Sequence, residues 1–327
     1  LANRISTKLL RQAIAGCLVL AAGLMQPALA GDPSPSRLAL KSSAALVIDE
    51  ETGQVLYGKN TDSVLPIASI TKLMTAMVVL DANLDLNERI EVTTEDVDTL
   101  KGTHSRLRVG TTLTREEMLR LALMASENRA ASSLGRNYPG GFDAFVVAMN
   151  HKARMLGLQG TRYADPTGLS PSNVSTAEDL GKLVRAANRY ERIREFSTAN
   201  GLAVSIGGRS ADFRNTNRLV ANSDWDIGLS KTGFINEAGR CLVMQAKLAG
   251  RAVVIVLLDS WGKYTRIADA ARIRQWMEVA DGAQVARRST PAARVSQKGK
   301  KGKVAVRAAR KSSASPVAVS ARRSPAS

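Results

Sequence analysis

The chain has 327 residues, 44% hydrophobic and 23% charged, with a formal net charge of +17. This is the bulk composition of a globular chain with one large domain or two modest ones. The charge sits at the ends: residues 1–30 hold Arg4, Lys8 and Arg11 and no acid, residues 286–327 hold twelve Lys and Arg and no acid, and 31–285 carries only +2. A basic nucleic-acid-binding fold is thereby excluded for the folded part, and no nucleic-acid partner is expected.

At the N-terminus, the three basic residues precede an apolar run from Ala13 to Met25, and Ala28-Leu29-Ala30 is a small-x-small site before Gly31. This predicts a secretory signal peptide over residues 1–30 and an exported, periplasmic protein. The run is too short to span a bilayer comfortably; a retained signal anchor is the rival to cleavage. Ile14-Ala15-Gly16-Cys17 has the look of a lipidation box, but the apolar run continues past Cys17. With the signal removed, Cys241 stands alone, which rules out an intramolecular disulfide. Its apolar neighbours Leu242, Val243 and Met244 predict a buried, inert thiol.

Residues 31–43 are rich in Pro and Ser and read as a linker to a folded domain over 44–285. Ala44–Asp49, the turn Thr52-Gly53 and Val55–Tyr57 predict a hairpin. From Ser69, Ile70, Leu73, Met74, Met77 and Val78 recur at helical spacing on one face, with Pro66 just ahead. Thr114-x-x-Glu117 is a capping box for a second helix, which breaks near Ala125-Ser126 and resumes from Arg129. A third helix is expected over Phe142–Leu156, and a fourth from a box at Ser175-x-x-Glu178. Cys241–Leu248, the turn Ala249-Gly250 and Ala252–Leu258 predict a strong hairpin, followed by an amphipathic helix over about Lys263–Met277. Strands, a helical block, then strands and a helix suit an α+β domain whose N- and C-terminal segments share one antiparallel sheet. Residues 286–327 have no aromatic residue and read as a basic, disordered tail.

The chemistry-bearing residues are few. Only His104 and His151 are histidines, without an HExxH or a paired acidic spacing, so neither a zinc peptidase nor a Ser–His–Asp site is expected. No phosphate loop or dinucleotide fingerprint occurs, and no cofactor or metal is implied. What remains is three short elements. Ser69-Ile70-Thr71-Lys72 opens the first helix and sets a lysine one turn from a serine, where a lysine of depressed pKa can act as its base. Ser126-Glu127-Asn128 sits at a break between helices. Lys231-Thr232-Gly233 suits an edge strand on which Lys and Thr bind a carboxylate and Gly admits a substrate backbone. Each alone also reads as chance, a helix cap or a turn.

Together and in this order, S-x-x-K, S-x-N and K-T-G resemble the penicillin-recognising serine enzymes, a superfamily that includes penicillin-binding proteins and serine β-lactamases. Ile67–Ala76, Asp165-Pro166-Thr167-Gly168-Leu169-Ser170, Ser175–Leu180 and Gly228–Gly233 narrow the resemblance to the low-molecular-mass D-alanyl-D-alanine carboxypeptidase/endopeptidase family, over about residues 40–280. Ser126–Ala131 is similar to the endopeptidase branch, and a basic tail follows the domain in place of the β-rich domain of the carboxypeptidase branch. The basic tail itself departs from both.

The resemblance implies the penicillin-recognising transpeptidase/β-lactamase-like fold and a serine DD-peptidase domain over 44–285. It implies a Ser69 nucleophile, Lys72 as its base and Ser126 as a proton relay. Asn128, Lys231, Thr232 and Gly233 would bind substrate, and the backbone N–H groups of Ser69 and Phe234 would form the oxyanion hole. The partners implied are peptidoglycan peptide stems, with β-lactams as covalent inhibitors. Rival readings are a D-alanyl-D-alanine carboxypeptidase or β-lactamase on the same fold, and a non-catalytic envelope-binding protein acting through its tail. For the tail, the expectation is electrostatic contact with an anionic membrane or wall surface.

Overall fold

The computed structural model describes residues 38–289. The predicted signal peptide, the first part of the linker and the tail beyond Ser289 lie outside the described residues. In chain order come β1 (Ser42–Asp49), β2 (Val55–Lys59), β3 (Leu65–Pro66), α1 (Lys72–Asp81), β4 (Arg89–Glu91), β5 (Thr112–Thr114), α2 (Arg115–Met124), α3 (Asn128–Arg136) and α4 (Gly141–Met155). Then follow β6 (Val174–Ser175), α5 (Ala177–Ala187), α6 (Glu191–Thr198), β7 (Gly201–Ile206), β8 (Arg209–Arg214), β9 (Asp226–Ile235), β10 (Gly239–Leu248), β11 (Arg251–Ser260) and α7 (Thr265–Ser289).

The main sheet has five antiparallel strands in the order β2-β1-β11-β10-β9, so the N-terminal hairpin pairs directly with the C-terminal strands. Successive side chains on a strand face opposite sides. On β1 and β11 both sides are covered. Leu46, Ile48, Val254, Val256 and Leu258 belong to a core shared with α1–α6, while Ala45, Val47, Val253, Ile255 and Leu257 pack with Ala270, Ile273 and Met277 of α7. These strands therefore read as continuous apolar runs rather than alternating ones. The expected α+β architecture, with terminal segments sharing a sheet around a helical block, is the one observed.

Three expectations change in detail. Packed structure begins before residue 44: Leu38 and Leu40 are 6% and 7% exposed and join the core under α7, and β1 begins at Ser42. Their alternate spacing puts them on one face, a pattern too short to stand out beside Pro and Ser. The clamp on this segment is Asp269, fully buried, which accepts from Lys41 N, Ser42 N and Ser42 Oγ and pairs with Arg272. At the other end, α7 runs to Ser289, so the predicted boundary at 285 falls inside a helix. The cap of α5 is one residue later than expected. Thr176 Oγ1 accepts from Asp179 N, while Ser175 lies in β6 and Glu178 accepts from the Thr61 hydroxyl.

α1 is the central helix. Ile70, Leu73, Met74, Met77 and Val78 are buried as expected, but so are Thr75, Ala76 and Val79, because the five helices α2–α6 pack around it. A helix buried all round needs no polar face. The capping box of α2 forms as read, with Glu117 N donating to Thr114 Oγ1 and Thr114 N to Glu117 Oε2. Short β3–β6 and β4–β5 pairs brace the helical block. No helix among the described residues is long and apolar enough to cross a membrane.

Candidate active site

Ser69 does not open an α-helix. It lies in a 3₁₀ turn, Ala68–Thr71, that leads into α1. In a 3₁₀ turn residues i and i+3 eclipse each other, which sets Lys72 directly over Ser69 more tightly than α-helical spacing would. Ala68, just before the serine, has φ +47°, a left-handed conformation that costs a non-glycine residue about 1–2 kcal/mol. The site tolerates that strain because Ala68 is fully buried and hemmed in by two neighbours, β9 and the loop after α4.

Lys72 is fully buried. Its Nζ donates to Ser69 Oγ at 2.8 Å, Asn128 Oδ1 at 2.7 Å and the Thr167 carbonyl at 2.6 Å. Burial brings its pKa down to about 7, against the opposing pull of the Asp165 and Glu127 carboxylates. Near neutral pH much of this amine is unprotonated and can take a proton from the hydroxyl it touches.

The second cluster joins the helical block to the sheet. Ser126 sits between α2 and α3 with φ +59°, a second left-handed non-glycine residue, and its Oγ accepts from Lys231 Nζ at 2.9 Å. Glu127 caps α3 by accepting from Arg129 N, and also accepts from Ser105 Oγ. Asn128 is held by donating to Thr103 Oγ1 at 3.0 Å. Lys231 is buried as well; burial, together with the Lys72 and Arg266 cations, holds its pKa well below the usual lysine value.

β9 is an edge strand, as the K-T-G reading requires. Thr232 Oγ1 shares a 2.7 Å hydrogen bond with Thr216 Oγ1. Gly233 packs on the serine turn: a Cβ there would lie 2.8 Å from Ile67 O and 3.2 Å from Ser69 N. Phe234 is half exposed, its ring under the Arg240 guanidinium at 4.5 Å rather than among the serine and lysine side chains. Ser69, Lys72 and Asn128 thus form one bonded group and Ser126 and Lys231 another, while Thr232 and Gly233 line the strand beside them. His104 and His151 are both exposed, and no cluster of metal-ligating side chains occurs among the described residues. Cys241 is fully buried, and burial raises its pKa to about 11.

Several contributors escape a reading of side-chain motifs. The Thr167 carbonyl reaches Lys72 from a loop that Asp165 folds by accepting from Thr167 N at 2.6 Å, Gly168 N at 2.8 Å and Ser170 N at 3.0 Å. Asp-Pro-x-Gly is a legible turn signal, but a backbone carbonyl has no signature in sequence. Thr103, Thr216 and Arg266 are likewise unmarked. Arg266, from α7, donates to the Gly233 and Cys241 carbonyls at 2.7 and 3.0 Å and so fixes the strand behind the site.

Comparison with known proteins identifies the family. The family model described as D-alanyl-D-alanine carboxypeptidase, peptidase S11, matches residues 32–262. A D-alanyl-D-alanine endopeptidase of Pseudomonas aeruginosa is 52% identical over 77% of this chain and 81% of its own length. One from Escherichia coli K12 is 47% identical over 80% and 84%. The crystal structure of the Streptomyces K15 DD-transpeptidase superposes with a TM-score of 0.68 at 28% identity, covering 73% of this chain and 97% of that one. Motif order, fold and these matches coincide, and the chain belongs to peptidase family S11, the D-alanyl-D-alanine carboxypeptidases.

Proposed function

We propose that this protein is a serine DD-peptidase that hydrolyses D-alanyl bonds of peptidoglycan, chiefly as an endopeptidase on crosslinks. The observation that carries the reading is the buried Lys72 amine, 2.8 Å from Ser69 Oγ, with a pKa of about 7. Ser69 Oγ attacks the D-alanyl carbonyl as its proton passes to Lys72 Nζ. The new Oγ–C bond places the carbonyl oxygen toward the backbone N–H groups of Ser69 and Phe234, where developing negative charge is stabilised. The closeness of Gly233 to Ser69 N supports a shared pocket for these two donors. Collapse breaks the C–N bond, and the leaving amine takes a proton relayed through Ser126 from the lysines on either side. Water then attacks the ester, its proton returns through Lys72 to Ser69, and the acid leaves. Asn128 orients the substrate backbone, and Lys231 and Thr232 hold a substrate carboxylate.

The endopeptidase branch is favoured because the relatives at 52%, 47% and 38% identity carry that name, whereas a Bacillus subtilis relative named as a carboxypeptidase is 32% identical. Two measurements test the reading. A fluorescent penicillin should label the wild type and leave Ser69→Ala unlabelled. Product analysis should show crosslinked muropeptide dimers consumed faster than uncrosslinked pentapeptides are trimmed. Absence of labelling in the folded wild type refutes the acyl-enzyme; preferential trimming of pentapeptides reassigns the protein to the carboxypeptidase reading. On the same reading the protein is exported to the periplasm, and the basic residues of 286–327 attach it to an anionic membrane or wall surface. Deleting 286–327 should reduce sedimentation with anionic vesicles or sacculi at low salt; unchanged sedimentation on both removes the attachment role.

A further inference from the structure

A cleft of about 710 Å³ opens between the segment 105–111 and the β7–β8 hairpin. Arg106, Arg108 and Arg209 line it, together with Gly110 and Gly207. All three arginines are exposed, and among the described residues none of them forms an ion pair. Arg106 is held in place, lying over the Phe213 ring at 3.9 Å and donating to the Asp212 carbonyl. Three arginines thus line one hollow, and no Asp or Glu is among its lining residues. Arginine's planar fork matches carboxylates in paired hydrogen bonds, so the hollow suits an anionic, carboxylate-bearing ligand.

Both walls of the cleft continue walls of the candidate active site. On one side, Ser105 Oγ donates to Glu127 at 2.5 Å and Arg129 donates to the Leu107 carbonyl at 2.7 Å, which ties the segment to the turn bearing Ser126 and Asn128. On the other, β8 runs through Asn215 into Thr216, bonded to Thr232. The cleft therefore lies on the Ser126–Thr232 flank, where the leaving amine is reprotonated, and not on the Phe234 flank. When a terminal D-alanine leaves, one amino acid occupies that flank and its carboxylate reaches Lys231 and Thr232. When a crosslink is cut, the leaving group is a whole peptide stem, with further free carboxylates that extend beyond this point.

We infer that the Arg106–Arg108–Arg209 cleft binds free carboxylates of the stem that departs with the amine, and so selects crosslinked over uncrosslinked substrate; this rests on the DD-peptidase reading above. The test uses the full chain with two probes, a crosslinked tetrapeptide dimer and a short N-acylated D-alanyl-D-alanine peptide. Rates are normalised to the fraction of enzyme that penicillin acylates, which counts only folded sites. The ratio of kcat/KM for the dimer over the short peptide should fall on the order of tenfold in Arg108→Ala/Arg209→Ala, as loss of two partly exposed charge contacts allows. Arg108→Lys/Arg209→Lys should keep most of the ratio, and a dimer amidated at its free carboxylates except the one beside the scissile bond, which Lys231 and Thr232 hold, should lose the advantage on the wild type. An unchanged ratio in the double alanine variant, or equal cleavage of amidated and free dimers, overturns the inference while leaving the DD-peptidase reading intact. A wild type that penicillin does not acylate, or that cleaves neither probe, refutes the underlying reading and the inference with it.

Discussion

Two lysines buried within one site are costly, because each must be desolvated and they repel when both are charged. The cost is what makes Lys72 useful. Held at a pKa of about 7, its amine can accept a proton at neutral pH and give one up again, as the proposed mechanism requires. The rate of penicillin acylation should therefore rise with pH through an apparent pKa near 7 and fall about tenfold per unit below it, because a protonated Lys72 cannot take the Ser69 proton. A stopped-flow acylation profile checks this; a profile flat from pH 5 to 8 removes Lys72 as the base. The observed midpoint belongs to the Lys72–Lys231 pair rather than to one residue. Stability follows the same shift. The folded pKa of Lys72 lies below the unfolded lysine value, so between about pH 7 and 10 the unfolded chain binds the extra proton. Stability from this group thus rises with pH across that window. The wild type should gain on Lys72→Met in thermal melts between pH 7 and 9; a constant difference contradicts the shift. At this scale the residues that meet in the structure, Ser69, Lys72, Ser126, Asn128 and Lys231, are legible as candidates because side-chain chemistry is written in residue type. The Thr167 carbonyl and the Thr103, Thr216 and Arg266 supports were not, since each acts through long-range contacts or through the backbone.

Among the elements, the loop between α4 and β6 shows how the backbone carries part of the chemistry. Gly168 has φ +80°, and a Cβ there would lie 2.0 Å from the Ala68 carbonyl oxygen, beside the serine turn. Gly168→Ala must therefore push apart the loop that offers Thr167 O and the turn that offers Ser69. Gly157 has φ +67° but no atom within 4 Å of a Cβ, so Gly157→Ala meets only the backbone cost. Gly157→Ala should lose about 1 kcal/mol in denaturant melts and acylate at the wild-type rate, whereas Gly168→Ala should lose about 3 kcal/mol or more and acylate at least tenfold more slowly. Equal acylation by the two variants would show that the loop does not position the site. Legibility was uneven here for physical reasons. The α2 capping box and the β10–β11 hairpin carry strong local signals. α6 and the β7–β8 hairpin were missed, because α6 spans only eight residues and the hairpin buries little beyond Val204 and Phe213. The Gly207-Gly208 pair, with φ +58° and +77°, is the readable turn signal between those strands.

For the whole described domain, stability depends on its first and last strands meeting. β1 pairs with β11 from Ser42↔Ser260 to Asp49↔Val253, and the segment just before it is clamped to α7. The α+β order of elements made this closure legible, but composition hid where it starts: Pro and Ser before residue 38 mask the apolar alternation of Leu38 and Leu40. A chain beginning at Ala44 would remove both leucines, each worth about 1.5–3 kcal/mol on burial. It would also take away the Lys41 and Ser42 donors and leave the buried Asp269 carboxylate with Arg272 as its remaining named partner. Together these losses are on the order of 5 kcal/mol, comparable with the whole stability of an ordinary domain. A chain beginning at Leu38 keeps every one of these contacts. The 44-start chain should therefore unfold at markedly lower denaturant than the 38-start chain, with penicillin labelling and tryptophan fluorescence lost at the same midpoint, because Ser69 and the sheet belong to one cooperative unit. If the two chains melt within about 0.5 kcal/mol of each other, the terminal clamp contributes nothing. If labelling is lost well before fluorescence, the site is a separately unfolding part and does not depend on closure of the sheet.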